Sequence, residues 1–487
     1  MKFLRDLLEP SIDHQLASQL FLRGLALIYV AAFVSLAVQI DGLAGPDGIL
    51  PFKQLLDRAL AEDGYAALWR IPTLFWLDGS NAALQGAAIA GAGLALLLLA
   101  GLGRPRPILA LLFVLYLSLY QAGQIFTSFQ WDHLLLESGF LAIFVAGGPT
   151  RLVVLLYDCL LFRLRFLSGF FKLASGDPSW RDFTALNYYF ETQPLPHVGS
   201  WYAHQLPQWA LQTGVGFTFF TELIVPFFIF LPRPFRIFAA ATTILAQLAI
   251  IATSNHNFFN LLTILLCLFV LDDRILVRIL PARVASRLAP ARVPHSPGLA
   301  LKTLTGAAAV LILALSVSTL LTRETRRPLP RAVYEFTGIA PSFGIGNLFH
   351  VFPTMQTERQ ELEIVGSYDG VTWQAYDFRY KPGALNKAPA FVMPHQPRLD
   401  WMMWFLPAQW PDTGYWLEPF LEALRRNRPA VTSLLARNPF EGKPPPEMIR
   451  VLAYRYHFTT PRERATTGNW WKAELLGEYP DVPRRTP

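Results

Sequence analysis

Residues 168–197, SGFFKLASGDPSWRDFTALNYYFETQPLPH, decide the fold, because an apolar helix ends in this stretch and a polar, aromatic loop begins. Lys172 lies in the apolar part, whereas Asp177, Trp180 and Glu191 follow it in the polar part. Such a change between two hydrophobic runs indicates the place where a chain leaves a membrane and enters water. We therefore expect the functional face of the protein to be built around this stretch.

The composition favours an integral membrane protein. The chain has 487 residues, of which 53% are hydrophobic and 16% are charged, and its mean hydropathy is +0.32. This composition is too apolar for an ordinary soluble protein of this length. The net charge of +7 does not predict nucleic-acid binding, because the basic residues lie between hydrophobic runs, where they set topology. Both cysteines, Cys159 and Cys267, lie in apolar runs, which argues against a disulfide framework and a thiol redox pair.

Apolar runs of spanning length predict a polytopic α-helical membrane protein with about nine transmembrane helices. The runs lie at 20–40, 82–102, 107–128, 133–147, 152–174, 210–231, 235–253, 258–271 and 299–321. After them the charge and the proline content rise, which predicts a C-terminal extracytoplasmic domain of α+β or β-rich type. The expected organisation is an N-terminal segment at 1–19, a membrane domain at 20–321 with outer loops at 41–81 and 175–209, and a globular domain at 322–487.

Arginines in every second connection predict the orientation. They are Arg104, Arg106, Arg151, Arg233, Arg236, Arg274, Arg278, Arg283, Arg287 and Arg292. Because cytoplasmic loops carry an excess of basic residues, this side is expected to be the cytoplasm, together with the N-terminus. The loop at 175–209 and the C-terminal domain then lie on the opposite side.

Charges inside the predicted spans are the sharpest anomaly. Arg163 lies near the middle of the fifth run, where an unpaired cation costs on the order of 3 kcal/mol. Such charges need partners or water. We expect cavity ion pairs among the following residues: Arg163, Arg165, Lys172, Glu137 and Glu222. These pairs either fix the packing of the helices or line a water-filled cavity that opens outward.

The loop at 175–209 has its own pattern. Asp177 and Pro178 are typical of a helix start, so we expect a short helix from there to Phe190, lying on the membrane surface. His133 and Glu137, four residues apart, share a helix face, but no HExxH motif, paired cysteines or carboxylate cluster completes a metal site. No metal and no cofactor are therefore predicted.

The C-terminal region contains strand and helix patterns. Polar and apolar side chains alternate in residues 361–365, residues 367–370 are typical of a turn, and residues 371–380 are again typical of a strand. This pattern predicts a hairpin. A further strand is expected at 449–459 and a helix at 416–437. The apolar cluster at 401–405 is either core or an exposed patch for a partner.

Several long motifs resemble the lipase maturation factor family. They lie at 167–180, 188–196, 201–204, 255–260, 379–383 and 394–401, and the resemblance covers nearly the whole chain. It implies a membrane-bound folding factor, found in the endoplasmic reticulum of animals, that assists secreted dimeric lipases. The partners it implies are the lipid bilayer and a secreted client such as a lipase. The compact length and the absence of a retrieval tail predict a bacterial member with a periplasmic outer face.

The same resemblance implies a motif on the outer face that contacts the client. Its residues are Asp177, Trp180, Arg181, Tyr188, Glu191, Gln193, Trp201, His204, Asn257, Asn260, His395, Arg398 and Trp401. No side chain of this motif would perform chemistry.

A weaker, fold-level likeness leaves a second hypothesis open. Residues 166–180 are similar to the membrane domain of vitamin K-dependent carboxylase relatives, in which a membrane-embedded lysine acts as a base. On this hypothesis the protein is a membrane enzyme that modifies a lipid or a protein. The candidate catalytic residues, which would line an outward-open cavity, are Lys172, Arg165, Glu222 and His256.

Overall fold

The computed structural model describes residues 6–288, 296–325, 340–407 and 414–480. Arg292 and residues 326–339 of the predicted C-terminal domain (322–487) lie outside these ranges. Within them, the longer helices are Gln15–Ala37, Asn81–Ala100, Pro105–Ala122, Gln130–Val145, Arg151–Ala174, Gln208–Phe219, Arg233–Thr253, Phe259–Val270 and Leu299–Thr325. Shorter helices are Ile40–Ala44, Phe52–Asp63, Ala67–Arg70, Pro178–Arg181, Ala185–Thr192, Val198–His204, Asp273–Ile279, Ala282–Leu288, Arg398–Met403, Leu417–Arg425, Pro429–Thr432 and Pro461–Thr467.

Six described helices are long and apolar enough to cross a membrane, which establishes a polytopic helical membrane protein. They are Ile12–Ala37, Asn81–Ala100, Pro105–Ala122, Gln208–Phe230, Arg233–Thr253 and Leu299–Ser318. The predicted number of nine is not confirmed. Gln130–Val145 and Phe259–Val270 are shorter than a bilayer requires, and Arg151–Ala174 carries several charges. Leu96, Leu245 and Val310 are more than half exposed on the six helices, as contact with lipid requires.

The ends of the helices form two faces. At one face, the Asp273 carboxylate accepts hydrogen bonds from the backbone N–H groups of Gln15 and Ala17, at 2.8 and 3.0 Å. Arg233 pairs with Asp272 at the same face. We call this the N-terminal face. At the opposite end, Ser35 and Asn255 contact the C-terminal region, and we call this the sheet face. Which of the two faces is cytoplasmic stays a prediction.

A four-stranded antiparallel sheet forms the centre of the C-terminal region. Its strands are β1 (Arg359–Ser367), β2 (Gln374–Ala375), β3 (Met448–Phe458) and β4 (Trp471–Glu478), in the order β2-β1-β3-β4. The predicted hairpin is present, with Val365 opposite Ala375. Its second strand is short because the Asp369 carboxylate accepts the backbone N–H groups of Val371 and Thr372, both at 2.8 Å, in a local turn.

Two predicted helices are interrupted. The helix expected at 416–437 breaks at Asn427, whose φ of 52° lies in the left-handed region, just before Pro429. The helix expected from Pro178 to Phe190 breaks at Phe183, with a φ of 57°. Trp180 and Phe190 are buried, so these two side chains do not form an exposed face as predicted, and the position of the segment at the membrane surface stays a prediction.

The core of the C-terminal region is shared with the membrane part. Leu362, Trp416 and Phe420 pack in one apolar cluster with Leu43 and Phe126, which belong to connections between the long helices. Most of the 401–405 segment also lies in the core. Trp401, Met402 and Met403 are at most 3% exposed, so the alternative of an exposed partner patch is wrong for these side chains.

Candidate functional site

A cavity of about 110 Å³ lies at the sheet-face end of the bundle and contains the four candidate catalytic residues together. Lys172 and Arg165 reach it from the Arg151–Ala174 helix, and Glu222 and His256 from two other segments. The four residues are separated by up to 91 positions in the chain (256 minus 165), so the fold alone brings them into one site.

One carboxylate in this cavity faces two cations. Lys172 Nζ lies 2.8 Å from Glu222 Oε2, and Arg165 Nη1 lies 3.6 Å from Glu222 Oε1. Lys172 and Arg165 are seven residues apart and therefore share one face of their helix. All three side chains are less than 10% exposed. We call Arg165, Lys172 and Glu222 the cavity triad.

An irregular helix positions the acid of the triad. Glu222 lies in a π-helical turn, Phe220–Ile224, that joins Gln208–Phe219 to the 3-10 segment Val225–Phe230. Pro226 has no N–H, so the Glu222 carbonyl cannot accept the hydrogen bond of a regular α-helix from that residue. Single π turns of this kind occur frequently at functional sites. The local sequence thus turns Glu222 toward the cavity.

Gly169 allows the two helices of the triad to approach closely. A Cβ atom at this position would lie 2.8 Å from Glu222 Cβ and 2.9 Å from a Leu223 methyl carbon. Both contacts are closer than carbon atoms tolerate, and the Glu222 atom cannot move without the helix backbone. A glycine is therefore required for the distance between Lys172 and Glu222.

The first prediction concerns this close approach. Gly169→Ala is expected to lower the free energy of unfolding by about 1–3 kcal/mol, because the added methyl group overpacks the contact. Gly93→Ala is the matched control, since nothing lies within 4 Å of a Cβ there and Ala favours a helix. Chemical denaturation of both purified variants measures the difference. Equal stability of the two variants would contradict the assigned helix contact.

Arg163 and Glu137 form a separate ion pair, so the predicted set of five cavity residues is divided between two sites. The Arg163 guanidinium contacts the Glu137 carboxylate directly, and its Nη1 donates to Ser316 Oγ at 2.8 Å. Glu137 Oε2 accepts the Gly346 backbone N–H at 3.0 Å. Arg163 and Glu137 are not among the residues that line the cavity. Their pair joins three helices and the segment after 340.

His256 closes the cavity on the sheet face. Its Nε2 lies 2.7 Å from the Tyr189 hydroxyl group, and burial lowers its pKa to about 4, with His197 adding to the effect. The imidazole is therefore neutral at pH 7, and its Nε2 shares a hydrogen bond with the Tyr189 hydroxyl group. The ring also lies against Phe352 and Trp401, with centroid distances of 5.6 and 6.0 Å.

A second, larger cavity adjoins the first. It has a volume of about 270 Å³, and the shared walls are His256, Phe259, Val351 and Phe352. Its other walls are mainly aromatic and apolar, among them Phe129, Trp131, Trp401 and Phe405. A charged end and an apolar end thus lie next to each other.

Sequence reasoning missed the segment 344–355, which walls both cavities. The Trp180 indole N–H donates to the Phe352 carbonyl at 3.2 Å, and Asp177 Oδ2 accepts the Met355 N–H at 2.8 Å. The segment has neither helical nor strand periodicity. Gly344 and Gly346, both with positive φ, and Pro353 were the signals of a structured loop.

A buried ion pair joins the C-terminal region to the helices. Arg398 donates from Nη1 to Asp132 Oδ2 at 2.7 Å and from Nη2 to Asp132 Oδ1 at 2.8 Å. Both side chains are 1% exposed. The Tyr116 hydroxyl group donates to the same carboxylate at 2.6 Å, and the Phe126 carbonyl accepts from Arg398 Nη1 at 2.9 Å. Such a paired, two-point contact between guanidinium and carboxylate fixes both distance and orientation.

The loop at 175–209 is held by the sheet in a second contact region. Arg359 of β1 donates to the carbonyls of Glu191 and Pro194, at 2.8 and 3.1 Å. The Glu191 carboxylate accepts the Phe458 N–H at 2.7 Å, and Trp201 Nε1 donates to the Thr459 carbonyl at 2.9 Å. These contacts and the Arg398–Asp132 pair together form what we call the interdomain seam.

The predicted client motif is thus mostly interior, which corrects the expectation of an outer surface. Its buried members are Trp180, Glu191, Gln193, Trp201, Asn257, Asn260, Arg398 and Trp401. Asp177, Tyr188, His204 and His395 are half-buried, and Arg181 is exposed. Buried side chains that already bond within the chain, such as Asn257 to Gln396 at 2.8 Å, cannot contact a client. Glu191, Trp201 and Asn257 bond to the C-terminal region instead, whereas Asn260 bonds to Gln247 of a neighbouring helix.

No group of three potential metal ligands occurs in the described ranges. His133 Nε2 lies 2.9 Å from the Tyr120 hydroxyl group, and Glu137 faces Arg163. The two residues therefore have separate partners.

The fold and the site define a class: a polytopic helical membrane protein with a C-terminal sheet region fixed to one face and a charged cavity beneath it. Residues 16–278 match the lipase maturation factor transmembrane domain, and residues 345–482 match the lipase maturation factor C-terminal domain. The chain belongs to the lipase maturation factor family, and the resemblance predicted from its motifs is confirmed.

Relatives extend over most of the chain. It is 34% identical to lipase maturation factor 2 of Homo sapiens, over 96% of this chain and 82% of that protein. It is also 34% identical to lipase maturation factor 1 of Bos taurus, over 94% of this chain and 87% of that protein. No solved structure matches the chain. The bacterial origin stays a prediction.

Proposed function

We propose that this protein is a membrane-bound maturation factor that assists secreted lipases, or similar clients, on the non-cytoplasmic side of the membrane. The observation that supports the proposal most strongly is the match of both parts of the chain to lipase maturation factor domains. Proteins named lipase maturation factors are similar to it over nearly its whole length. The arginines in every second connection between the apolar runs support an orientation with the C-terminal region outside the cytoplasm.

The interdomain seam supports a mode of action in which the whole chain acts as one body. Arg398, Arg359 and Glu191 bond across the boundary between the membrane part and the C-terminal region, with little or no exposure to solvent. A client would therefore meet a surface whose position relative to the membrane is fixed. Such a fixed surface suits a factor that holds a partly folded secreted chain near the bilayer.

The enzyme hypothesis receives less support from the cavity. A lysine base needs a free lone pair, whereas Lys172 Nζ forms an ion pair with Glu222 at 2.8 Å and lies 5.2 Å from the Trp180 ring centroid. Both contacts favour the ammonium form. The cavity triad is thus better suited to binding than to proton abstraction.

The second prediction is a rescue of lipase secretion. Cells that lack their own lipase maturation factor, and that express a secreted dimeric lipase, are expected to secrete active enzyme when they express this chain. Lipase activity and lipase antigen in the medium are measured beside an empty vector and beside the human relative. If the chain reaches the membrane but the activity stays at the empty-vector level while the relative rescues it, the proposed client is wrong.

A further inference from the structure

The charge in the first cavity is not balanced by the residues that line it. Among the described lining residues, Arg165 and Lys172 are cations and Glu222 is the one carboxylate. His256 adds no charge at neutral pH, because its pKa lies at about 4. With Lys172 protonated, the cavity has one positive charge in excess, and because a buried and uncompensated charge is costly, an anion would stabilise this form.

Arg165 also has unused hydrogen-bond donors. Its Nε has no partner, although the side chain is only 8% exposed. Its Nη2 donates to Thr221 Oγ1 at 3.2 Å, whereas Nη1 is 3.6 Å from Glu222, beyond ordinary hydrogen-bond distance. A guanidinium group with two free N–H directions binds a carboxylate or phosphate through paired hydrogen bonds. The free N–H donors of Arg165 and the unbalanced positive charge thus both indicate an anionic ligand.

The adjoining cavity favours a ligand with an apolar part. None of its described lining residues is Lys, Arg, Asp or Glu, and aromatic and other apolar side chains form most of its wall. It meets the charged cavity at Phe259, Val351 and Phe352. A molecule that extends from one cavity into the other would have an anionic end near Arg165 and an apolar end among the aromatic rings.

We propose that the two cavities together bind one anionic amphiphile: a single acyl or alkyl chain with a carboxylate or phosphate head group. The head group contacts Arg165 and Lys172, and the chain lies against Trp131, Trp401 and Phe405. Glu222 keeps both cations in place when the site is empty. This binding activity goes beyond the proposed maturation of lipases and does not depend on it.

The test uses the purified full-length protein in a neutral detergent. Equilibrium binding of radiolabelled hexadecanoic acid is compared with that of hexadecanol, which has the same chain and no charge. The acid is expected to bind about tenfold or more tightly than the alcohol, because only the acid neutralises the cavity. Hexadecyl phosphate is expected to displace the acid, whereas inorganic phosphate and acetate are not. Equal binding of acid and alcohol, or displacement by inorganic phosphate alone, would overturn the proposal.

Two variants locate the site. Lys172→Met removes the excess charge and is expected to weaken binding of the acid about tenfold, while binding of the alcohol stays unchanged. Lys53→Met is the control, because Lys53 is exposed and pairs with Asp57 far along the chain from the cavity. Val351 lines both cavities, so Val351→Trp places a larger side chain between them without changing the charge, and this variant tests the assignment if Lys172→Met fails to fold. Unchanged binding of the acid in the folded variants would place the ligand elsewhere and refute the assignment.

Because the readout is ligand binding to purified protein, its failure is distinct from a failure of the proposed function. A protein that rescues lipase secretion but binds no amphiphile would refute this inference alone. A protein that binds the amphiphile but rescues no lipase would refute the client alone.

Discussion

Arg398→Ala is expected to lower the free energy of unfolding by about 3–5 kcal/mol, because it leaves a buried carboxylate without its cation. Asp132 is 1% exposed, and within the described ranges its side-chain partner besides Arg398 is the Tyr116 hydroxyl group. The substitution also removes the bond to the Phe126 carbonyl at 2.9 Å. The loss of stability is therefore expected to be larger than the loss on removing an exposed ion pair.

The control for this variant is Arg437→Ala. Arg437 pairs with Asp377 at 2.6 Å, but both side chains are at least half exposed, so the loss is expected to be about 1 kcal/mol or less. Denaturation followed by tryptophan fluorescence measures both variants. A double variant, Arg398→Met with Asp132→Leu, is expected to be more stable than Arg398→Ala, since no unpaired charge stays buried. Equal losses for Arg398→Ala and Arg437→Ala would contradict the assigned seam.

Glu222→Gln is expected to be the most damaging change in the cavity, with a loss of about 3–5 kcal/mol, because two buried cations lose their shared carboxylate. Lys172→Met leaves Arg165 and Glu222 as a balanced pair. Its loss is expected to be smaller, about 1–2 kcal/mol, from the broken hydrogen bond at 2.8 Å. The order of the two effects follows from the count of charges in the cavity triad.

Thermal or chemical denaturation of the two variants tests this order of stability losses. The activity of Lys172→Met in lipase maturation distinguishes the enzyme hypothesis from the maturation-factor hypothesis. If Lys172→Met costs as much stability as Glu222→Gln, the charge count is wrong. On the enzyme hypothesis, Lys172→Met would abolish function in a protein that is still folded. On the maturation-factor hypothesis, the folded variant is expected to retain lipase maturation.

Much of the membrane architecture could be predicted from composition and charge. Each of the nine apolar runs coincides with a described helix, and six of these helices are long and apolar enough to span a membrane. The cost of a charge in a bilayer predicted that Arg163, Arg165 and Lys172 need partners. The choice of partner could not be predicted. Arg163 and Arg165 are two residues apart, and the rotation of their helix sends one to Glu137 and the other to Glu222. That rotation is set by tertiary packing.

The interdomain seam could not be predicted from the sequence for a different reason. Arg398 and Asp132 are 266 residues apart, and nothing in either local pattern marks them as a pair. Arg398 belongs to the motif that was predicted to lie on an outer surface, because long-range contacts leave no periodicity. β4 was missed as well, since Trp471–Glu478 is exposed at most positions and lacks the alternation of a half-buried strand.

The central claim is that the membrane part and the C-terminal region act as one body in the maturation of secreted lipases. The most direct test is the specific activity of lipase secreted by factor-deficient cells that express this chain, Arg398→Ala or Arg437→Ala at equal membrane levels. We predict active lipase with the wild-type chain and with Arg437→Ala, and a loss of most activity with Arg398→Ala. Full lipase activity with Arg398→Ala, in a protein whose weakened seam is confirmed by denaturation, would contradict the claim.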